Sequence, residues 1–574
     1  MKIKEGFNLL ATAPDGVARL RELILTLAVQ GKLVPQDSND EPASFLLKQI
    51  AKEKHHSEPV SKGKRKTSAS LLASQSEKPP LPRGWEWSSL AEIGVIGPRN
   101  NADDDLPVSF VQMSSIPTAL VSPHGVEERP WSAIKTGFTH FAEGDVGVAK
   151  ITPCFENGKS TVFRNLTNGI GAGTTELHVV RPLGGILPDY VLIFLKTPEF
   201  LLNGEKVMTG SAGQKRLPRD YFENKRFPLP PRAEQARIVA KVQELMRLSD
   251  ELESRGSLEA EQHARLTTTL FEALAASESA HALAENWSRL AANIDLLLDR
   301  PEAVDALEKA IGQLAVRGLI VSQDPDDEPA NELLRQIRVE KDNLIAAGVL
   351  KRDKPLPPIQ VDDEPFPLPT GWAWARFQEV GEFGRGKSKH RPRNDPKLFN
   401  PGLYPLIQTG EVARADRVIQ HFNAKYSEFG LAQSKLWPAG TLCITIAANI
   451  ADSAILGFDA CFPDSVVGLV PIAGLVDTRY FLTFIETAKD DLTAFAPATA
   501  QKNINLEILN NVLIPVPPRK EMLRIVARVE ELRQLCADLR ARLNERRTCQ
   551  AHFAAALVEQ AGAGPEEDRL ELAA

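Results

Sequence analysis

Cysteine is scarce in this chain, and what little there is shows no ligand or pairing pattern. The 574 residues hold 5 cysteines: Cys154, Cys443, Cys461, Cys536 and Cys549. No two stand at a C-x-x-C spacing, and no histidine pair lies near them in a ligand pattern. Neither a disulfide framework nor a structural zinc is expected, and free thiols in a reducing cytoplasm are. Long apolar runs are missing too. The stretch through Tyr190–Leu195 falls well short of a membrane span. The opening residues, MKIKEGFNLLATAPDG, carry lysines but neither an apolar core nor a small-residue cleavage site, so no export signal is read there. Nor is there a basic excess, since 68 Lys+Arg face 75 Asp+Glu for a net charge of −7. That excludes a protein that coats DNA through bulk positive charge, while leaving room for charge concentrated at a groove.

Catalytic signatures are also lacking. The sequence has no Asn-Pro-Pro-aromatic or Asp-Pro-Pro-Tyr motif of an amino-methyltransferase, no G-x-G-x-x-G after a strand, no H-E-x-x-H and no G-x-S-x-G. Asp220 and the Glu223–Lys225 triplet lie too close together to serve as separated nuclease carboxylates. One phosphate-loop expression does occur, from Gly381 to Gly386, Lys387 and Ser388. Such a loop needs a helix directly after it, so that backbone N–H groups and the helix N-terminus face the phosphates. The residues that follow, KHRPRNDPKLFNP, contain three prolines and cannot form one. A flexible basic loop that touches DNA phosphates through Arg385 and Lys387 is the better reading. A second basic stretch, Ser61–Lys66, sits in a Ser/Lys/Pro-rich segment and reads as a solvated linker.

What the chain does have is a long internal repeat. LAVQGKLVPQDSNDEPAS from Leu27 returns as LAVRGLIVSQDPDDEPAN from Leu314, an offset of 287 (314 minus 27). At the same offset of 287, LPRGWEW from Leu81 returns as LPTGWAW from Leu368, and PLPPRAEQARIVAKVQEL from Pro228 returns as PVPPRKEMLRIVARVEEL from Pro515. Between these anchors, residues 88–213 and 375–500 match in length and in little else. A shared frame around two unlike inserts implies one structural job done twice and two versions of one recognition job.

Periodicity assigns the frame to helices. Ile238, Val242, Leu245, Ser249 and Leu252 step by 4, 3, 4 and 3, as do Ile525, Val529, Leu532, Cys536, Leu539 and Leu543. Such a seam predicts two long helices, each packed against another, with Glu234 and Glu521 in their first turns. Leu20–Val29 and Leu307–Val316 read as shorter helices closed by Gly31 and Gly318. Pro42 and Pro329 suit the first turns of the helices that follow. The Ala/Leu-rich stretch Ser257–Arg300 is expected to hold an extra helix. The inserts read as mixed α/β: DVGVAKIT, TELHVVRP, GTLCITIA and SVVGLVPI as strands, Tyr190–Lys196 and Tyr480–Ala488 as short helices.

Binding candidates cluster in polar loops. Near the end of each insert, at one frame position, stand Gln214, Lys215 and Arg216 and then Gln501, Lys502 and Asn503. Lys215, Arg216 and Lys502 are expected to neutralise phosphates, and Gln214, Gln501 and Asn503 to meet base edges, because an amide matches adenine N6/N7. The loop Lys150–Ser160 adds Lys150, Thr152, Asn157 and Lys159; the loop Ile444–Ser453 adds Asn449 and Ser453. Capping and turn chemistry is the competing role for Asn157, Asn449 and Ser453.

Taken together, the LAVxGxLVxQ…DEPA helices, the LPxGWxW entries, the KITPCFENGK and LCITIAANIADSAIL segments and the exit helices from Pro228 and Pro515 resemble the DNA specificity subunits of type I restriction-modification systems. The likeness spans nearly the whole chain. It implies an α+β fold, a tandem pseudo-repeat of two mixed α/β target-recognition domains separated by long antiparallel coiled-coil-like helices. The implied segments are 1–80 helical with a linker, 81–231 first recognition domain, 232–367 spacer and linker, 368–518 second recognition domain, and 519–574 spacer. By that resemblance each domain reads half of a split, asymmetric site on double-stranded DNA. The helices, along Ile238, Val242, Leu245, Leu252, Ile525, Val529, Leu532 and Leu539, would set the gap and dock two methyltransferase subunits, with restriction/translocase subunits joining. No cofactor is expected in this chain; S-adenosylmethionine, ATP and Mg would belong to those partners. An ATP-dependent enzyme using Lys387 and a coiled-coil scaffold that never meets DNA are the rival readings.

Overall fold

The computed structural model describes residues 10, 12–57, 80–211, 213–352, 355–447, 450–472, 474–494 and 506–563. The chain divides into two compact units, Met1–Ala260 with Arg546–Ala574 and Glu261–Glu545. The repeat is visible in how each unit is built, so one local device after another occurs twice. The basic stretch Ser61–Lys66 lies outside the described residues.

In the first unit the helix Gly16–Val29 ends at Gly31, whose φ is +68°. There Lys32 N–H reaches back to Leu27 O at 2.9 Å and Gly31 N–H to Ala28 O at 3.4 Å, closing the last carbonyls as a left-handed cap requires. Gly318, φ +72°, repeats this in the second unit, with Leu319 N–H to Leu314 O at 3.0 Å after the helix Pro301–Val316. Both glycines have a second reason to lack a Cβ, which would stand 2.9 Å from the Trp85 ring and 2.8 Å from the Trp372 ring. The following helices start at Ala43 and Ala330, one residue later than the prolines suggest, so that Pro329 is the cap and not part of the first turn. Their leading N–H groups are satisfied from the Gly-Trp motifs, Ala43 N–H by Gly84 O and Ala330 N–H by Gly371 O.

Each insert is clamped where it begins and ends. Glu86–Ser89 pairs antiparallel with Arg226–Leu229, and Ala373–Arg376 with Leu513–Val516, in the same register. A buried tyrosine locks each ribbon from within the insert: Tyr190 Oη donates to Pro228 O at 2.8 Å and Tyr480 Oη to Pro515 O at 2.6 Å. Inside the first insert a four-stranded sheet runs in the order Gly94–Ile96, Leu177–Pro182, Val146–Ala149, Ser160–Val162. A second four-stranded sheet has the order Glu127–Pro130, Pro107–Val111, Ile170–Gly173, Thr139–Ala142. The second insert has a five-stranded sheet, Gly381–Arg385, Val466–Pro471, Leu442–Thr445, Ser453–Leu456, Val418–Ile419, beside a four-stranded one. All four strands and both helices expected inside the inserts are present, the helices as Pro188–Leu195 and Thr478–Ala494.

The exit helices are Arg232–Ala275 and Arg519–Ala563. Their apolar seams are spent within the units: Ile238 and Val242 are buried in the core of the first, with Leu245 packed at its edge. Ile525 and Val529 are buried in the core of the second, flanked by Leu532 and Leu539. Leu252 is half-buried. Ile238, Val242, Ile525 and Val529 therefore hold each unit together, and those four side chains are not open to a partner. The stretch Ser257–Arg300 does contain an added helix, Ala280–Ala291, and it has a packing role. Phe271, Leu274 and Ala275 close over Leu290, Leu297 and Ala310 in one apolar cluster. Within the first unit, the buried Ala554 of the second exit helix meets Leu10 and Ala13. Among the described residues no helix is long and apolar enough to cross a membrane.

Candidate nucleic-acid interface

Two loops of the first insert, far apart in sequence, form one surface. Leu217 N–H donates to Lys150 O at 2.7 Å, Thr152 N–H to Lys215 O at 3.0 Å and Arg216 N–H to Thr209 O at 2.8 Å. Lys215 N–H reaches Thr152 Oγ1 at 3.1 Å. The Lys150–Lys159 loop and the Gln214–Arg216 loop are thus stitched side by side at the end of the strand Val146–Ala149. Gln214, Lys215, Arg216 and Asn157 are exposed there, and Lys150 is half-buried.

Three of the expected contacts have other occupations. The Thr152 hydroxyl oxygen is the acceptor for Lys215 N–H, so it builds the surface. Lys159 Nζ donates to Met113 O at 2.8 Å and ties the loop inward. Arg216 is held by Glu176 through Nε to Oε2 and Nη2 to Oε1, both 2.9 Å. A carboxylate so engaged offsets the charge of Arg216, so its attraction for a phosphate is weaker than that of the exposed Lys215 beside it. Arg216 in turn keeps the Glu176 carboxyl below its usual range, helped by Lys150 and His178.

Glu176 lies at the start of the segment TELHVVRP, read from sequence only as a strand, and directly precedes the observed strand Leu177–Pro182. Lys196 too was missed from the sequence; it is a buried amine that donates to Thr118 O and Gly158 O at 2.8 Å each and anchors the Lys150–Lys159 loop from beneath. Burial pushes that amine down to about 7. His178, whose Nε2 lies 2.9 Å from Leu217 O, stacks on Phe222 and supports the other loop.

In the second insert the phosphate-loop expression resolves into something else. Gly381–Arg385 is an edge strand of the five-stranded sheet. Gly386 is glycine for want of room, since a Cβ would lie 2.3 Å from Phe462 O and 2.4 Å from Pro463 O. Its N–H donates to Val466 O, and Lys387 N–H donates to Phe462 O. Lys389 N–H and His390 N–H then both donate to Gln433 Oε1, at 2.6 and 3.0 Å. The loop is therefore pinned where a flexible one was expected, and the next helical piece is only the 3-10 turn Pro396–Leu398. Arg385 and Lys387 remain exposed on it. Ser453 opens the strand Ser453–Leu456 and is half-buried. Asn449, Gln501, Lys502 and Asn503 lie outside the described residues. Among the described residues no cluster of His, Cys, Asp and Glu could hold a metal ion.

Comparison with known proteins accounts for this arrangement. Residues 369–546 match the type I restriction modification DNA specificity domain. The chain is 40% identical over 568 residues to the type I restriction enzyme EcoEI specificity subunit of Escherichia coli, covering 95% of this chain and 94% of that one. It is 40% identical over 563 residues to the EcoAI specificity subunit of Escherichia coli, with coverage of 95% and 94%. Among solved structures, the HsdS subunit from Thermoanaerobacter tengcongensis aligns over 85% of this chain and 99% of that one, with 19% identity and a TM-score of 0.42. An identity of 40% over 95% of the chain places it in the family of type I restriction enzyme specificity subunits.

Proposed function

We propose that the chain gives a type I restriction-modification complex its DNA sequence. The insert of each unit reads one half of a bipartite, asymmetric site on double-stranded DNA. The observation that carries this reading is one frame built twice around two unlike sheet pairs, each presenting polar and cationic loops. Two readers with different surfaces call for two different half-sites, and a fixed connection between them calls for a fixed gap. The exit helices supply that spacing and dock two methyltransferase subunits through residues other than Ile238, Val242, Ile525 and Val529, which are buried within the units. Restriction/translocase subunits complete the assembly in the cytoplasm. The chain itself performs no bond-making step; S-adenosylmethionine, ATP and Mg act in the partner subunits.

The test is methylation mapping of a genome in cells that carry this chain with its partner subunits. Two unlike short motifs separated by a constant gap are expected. A continuous or palindromic motif would overturn the two-reader arrangement.

A further inference from the structure

The Arg216–Glu176 pair is more specific than a surface ion pair needs to be. Both ends of the arginine are fixed. Its backbone is bonded on either side, Arg216 N–H to Thr209 O at 2.8 Å and Thr209 N–H to Arg216 O at 3.1 Å. One edge of its guanidinium, Nε and Nη2, lies bidentate on Glu176 at 2.9 Å and 2.9 Å. Nη1 has a long contact of 3.4 Å to Gln214 O. The side chain is nonetheless 47% exposed. A guanidinium docked by one edge still presents N–H groups on Nη1 and Nη2 in a fixed plane. Because the pair is neutral, it adds little to counterion release at phosphates. What it offers is direction, and a fixed pair of parallel donors matches guanine O6 and N7 in the major groove.

The second insert changes both members of this pair at once. Ile446 N–H donates to Ser465 O at 3.0 Å just as Lys150 N–H donates to Glu176 O at 2.9 Å, so Ser465 stands where Glu176 does. In the frame, Asn503 takes the place of Arg216 at the same offset of 287 (503 minus 216). An arginine and its buttress are replaced together by an asparagine and a serine. That is the pattern of a recognition position that differs between two readers, since asparagine matches adenine where arginine matches guanine.

We propose that Arg216, held in place by Glu176, reads a guanine in the half-site of the first insert. This rests on the proposed function and sharpens it to one residue and one base. Lys215, exposed beside it, supplies sequence-independent phosphate attraction.

The experiment selects bound duplexes from a randomised library with the full chain assembled with its methyltransferase partners, comparing wild type with Arg216→Ala, Glu176→Gln and Lys215→Ala. Wild type is expected to enrich a bipartite motif with a guanine in one half. Arg216→Ala should lower discrimination at that one guanine by on the order of ten- to a hundredfold and leave the other half-site unchanged. Glu176→Gln should relax the same position while the complex still binds, which separates positioning from loss of the fold. Lys215→Ala should weaken all sequences alike and reduce the salt slope by about one unit. If wild type enriches its motif and Arg216→Ala weakens every sequence uniformly, or changes nothing, the guanine assignment is wrong. If wild type itself enriches no motif, the specificity reading fails instead.

Discussion

Single residues here are often explained by what crowds them. Gly386 matches a nucleotide-binding expression by sequence, yet its missing side chain makes room for the Phe462 and Pro463 carbonyls. Gly386→Ala should therefore cost about 1–3 kcal/mol through overpacking, whereas the exposed Lys387→Ala should stay within about 0.5 kcal/mol of wild type. Thermal unfolding of the full chain measures both. If the two changes cost the same, the packing argument fails. Glu234 is a second case. It accepts from Trp85 Nε1 at 2.9 Å and Gln36 Nε2 at 2.8 Å, and burial pushes its carboxyl up to about 7 against the pull of Trp85 and Arg237. In the unfolded chain the same group titrates in the ordinary carboxylate range. Between those two values the folded state holds the extra proton, so this group's contribution to stability falls as pH rises through the window and levels off above it. Glu521, pushed up to about 6, acts with the same sign over a narrower window. The expected outcome is that Glu234→Gln costs more at about pH 5.5 than at about pH 8.5, read as the difference in melting temperature from wild type at each pH. An equal cost at both would show that the carboxyl is ionised throughout. Sequence could place Glu234 in the first turn of a helix but not inside a core, because burial is decided by what folds over it. Gln36 and Trp85 come from two segments far away in the sequence.

At the scale of elements the frame was legible and its ion pairs were not. Helices, caps and the clamping ribbon follow from local rules, namely the glycine after the last turn, the seam of period 3.5 and the Pro-rich punctuation before each exit helix. The two copies agree even in Asp40 with Arg237 and Asp327 with Arg524. At another pair of frame positions the charges are reversed. Arg21 of the first short helix pairs with Glu253 of its exit helix at 2.6 Å. At the matching positions Glu308 pairs with Arg540 at 3.0 Å. Each arginine also takes a second carboxylate, Asp250 and Asp305 respectively. A short helix moved from one copy into the other would set like charges together, so the reversal matches each short helix to its own exit helix. Each exposed pair is worth under about 1 kcal/mol, and a like-charge contact costs a similar amount. Glu308→Arg is expected to lower the melting temperature, and adding Arg540→Glu to that variant to recover part of it. A second change that deepens the loss would refute the matched pairing.

The whole chain is two unlike readers on one repeated frame, and this was the part most open to sequence reasoning. A constant offset survives any amount of drift between the anchors. The readers themselves were opaque for a physical reason. Strands such as Glu127–Pro130 and Val418–Ile419 are short and rely on their neighbours more than on their own pattern. Of the loop residues expected to meet DNA, Thr152 and Lys159 bond inward to the protein, and Arg216 is held by a carboxylate that no motif points to. Proximity in space, such as that of Glu176 to Arg216, has no one-dimensional signature.

The clamping ribbon has one more consequence. Because Glu86–Ser89 lies against Arg226–Leu229, the chain leaves the frame and returns to it at adjacent points. What lies between those points can vary in length and sequence as long as it keeps the few side chains, Tyr190 and its neighbours among them, that share a core with the frame helices. Inheritance can then act on the reader alone: a foreign segment with compatible ends enters by two crossovers, and a new specificity arises without rebuilding the assembly. Replacing residues 90–225 with the corresponding segment of another family member should change one half of the methylated motif and keep the gap. Genome-wide methylation mapping of the hybrid checks this, and a changed gap would show that the reader and the spacing are not independent.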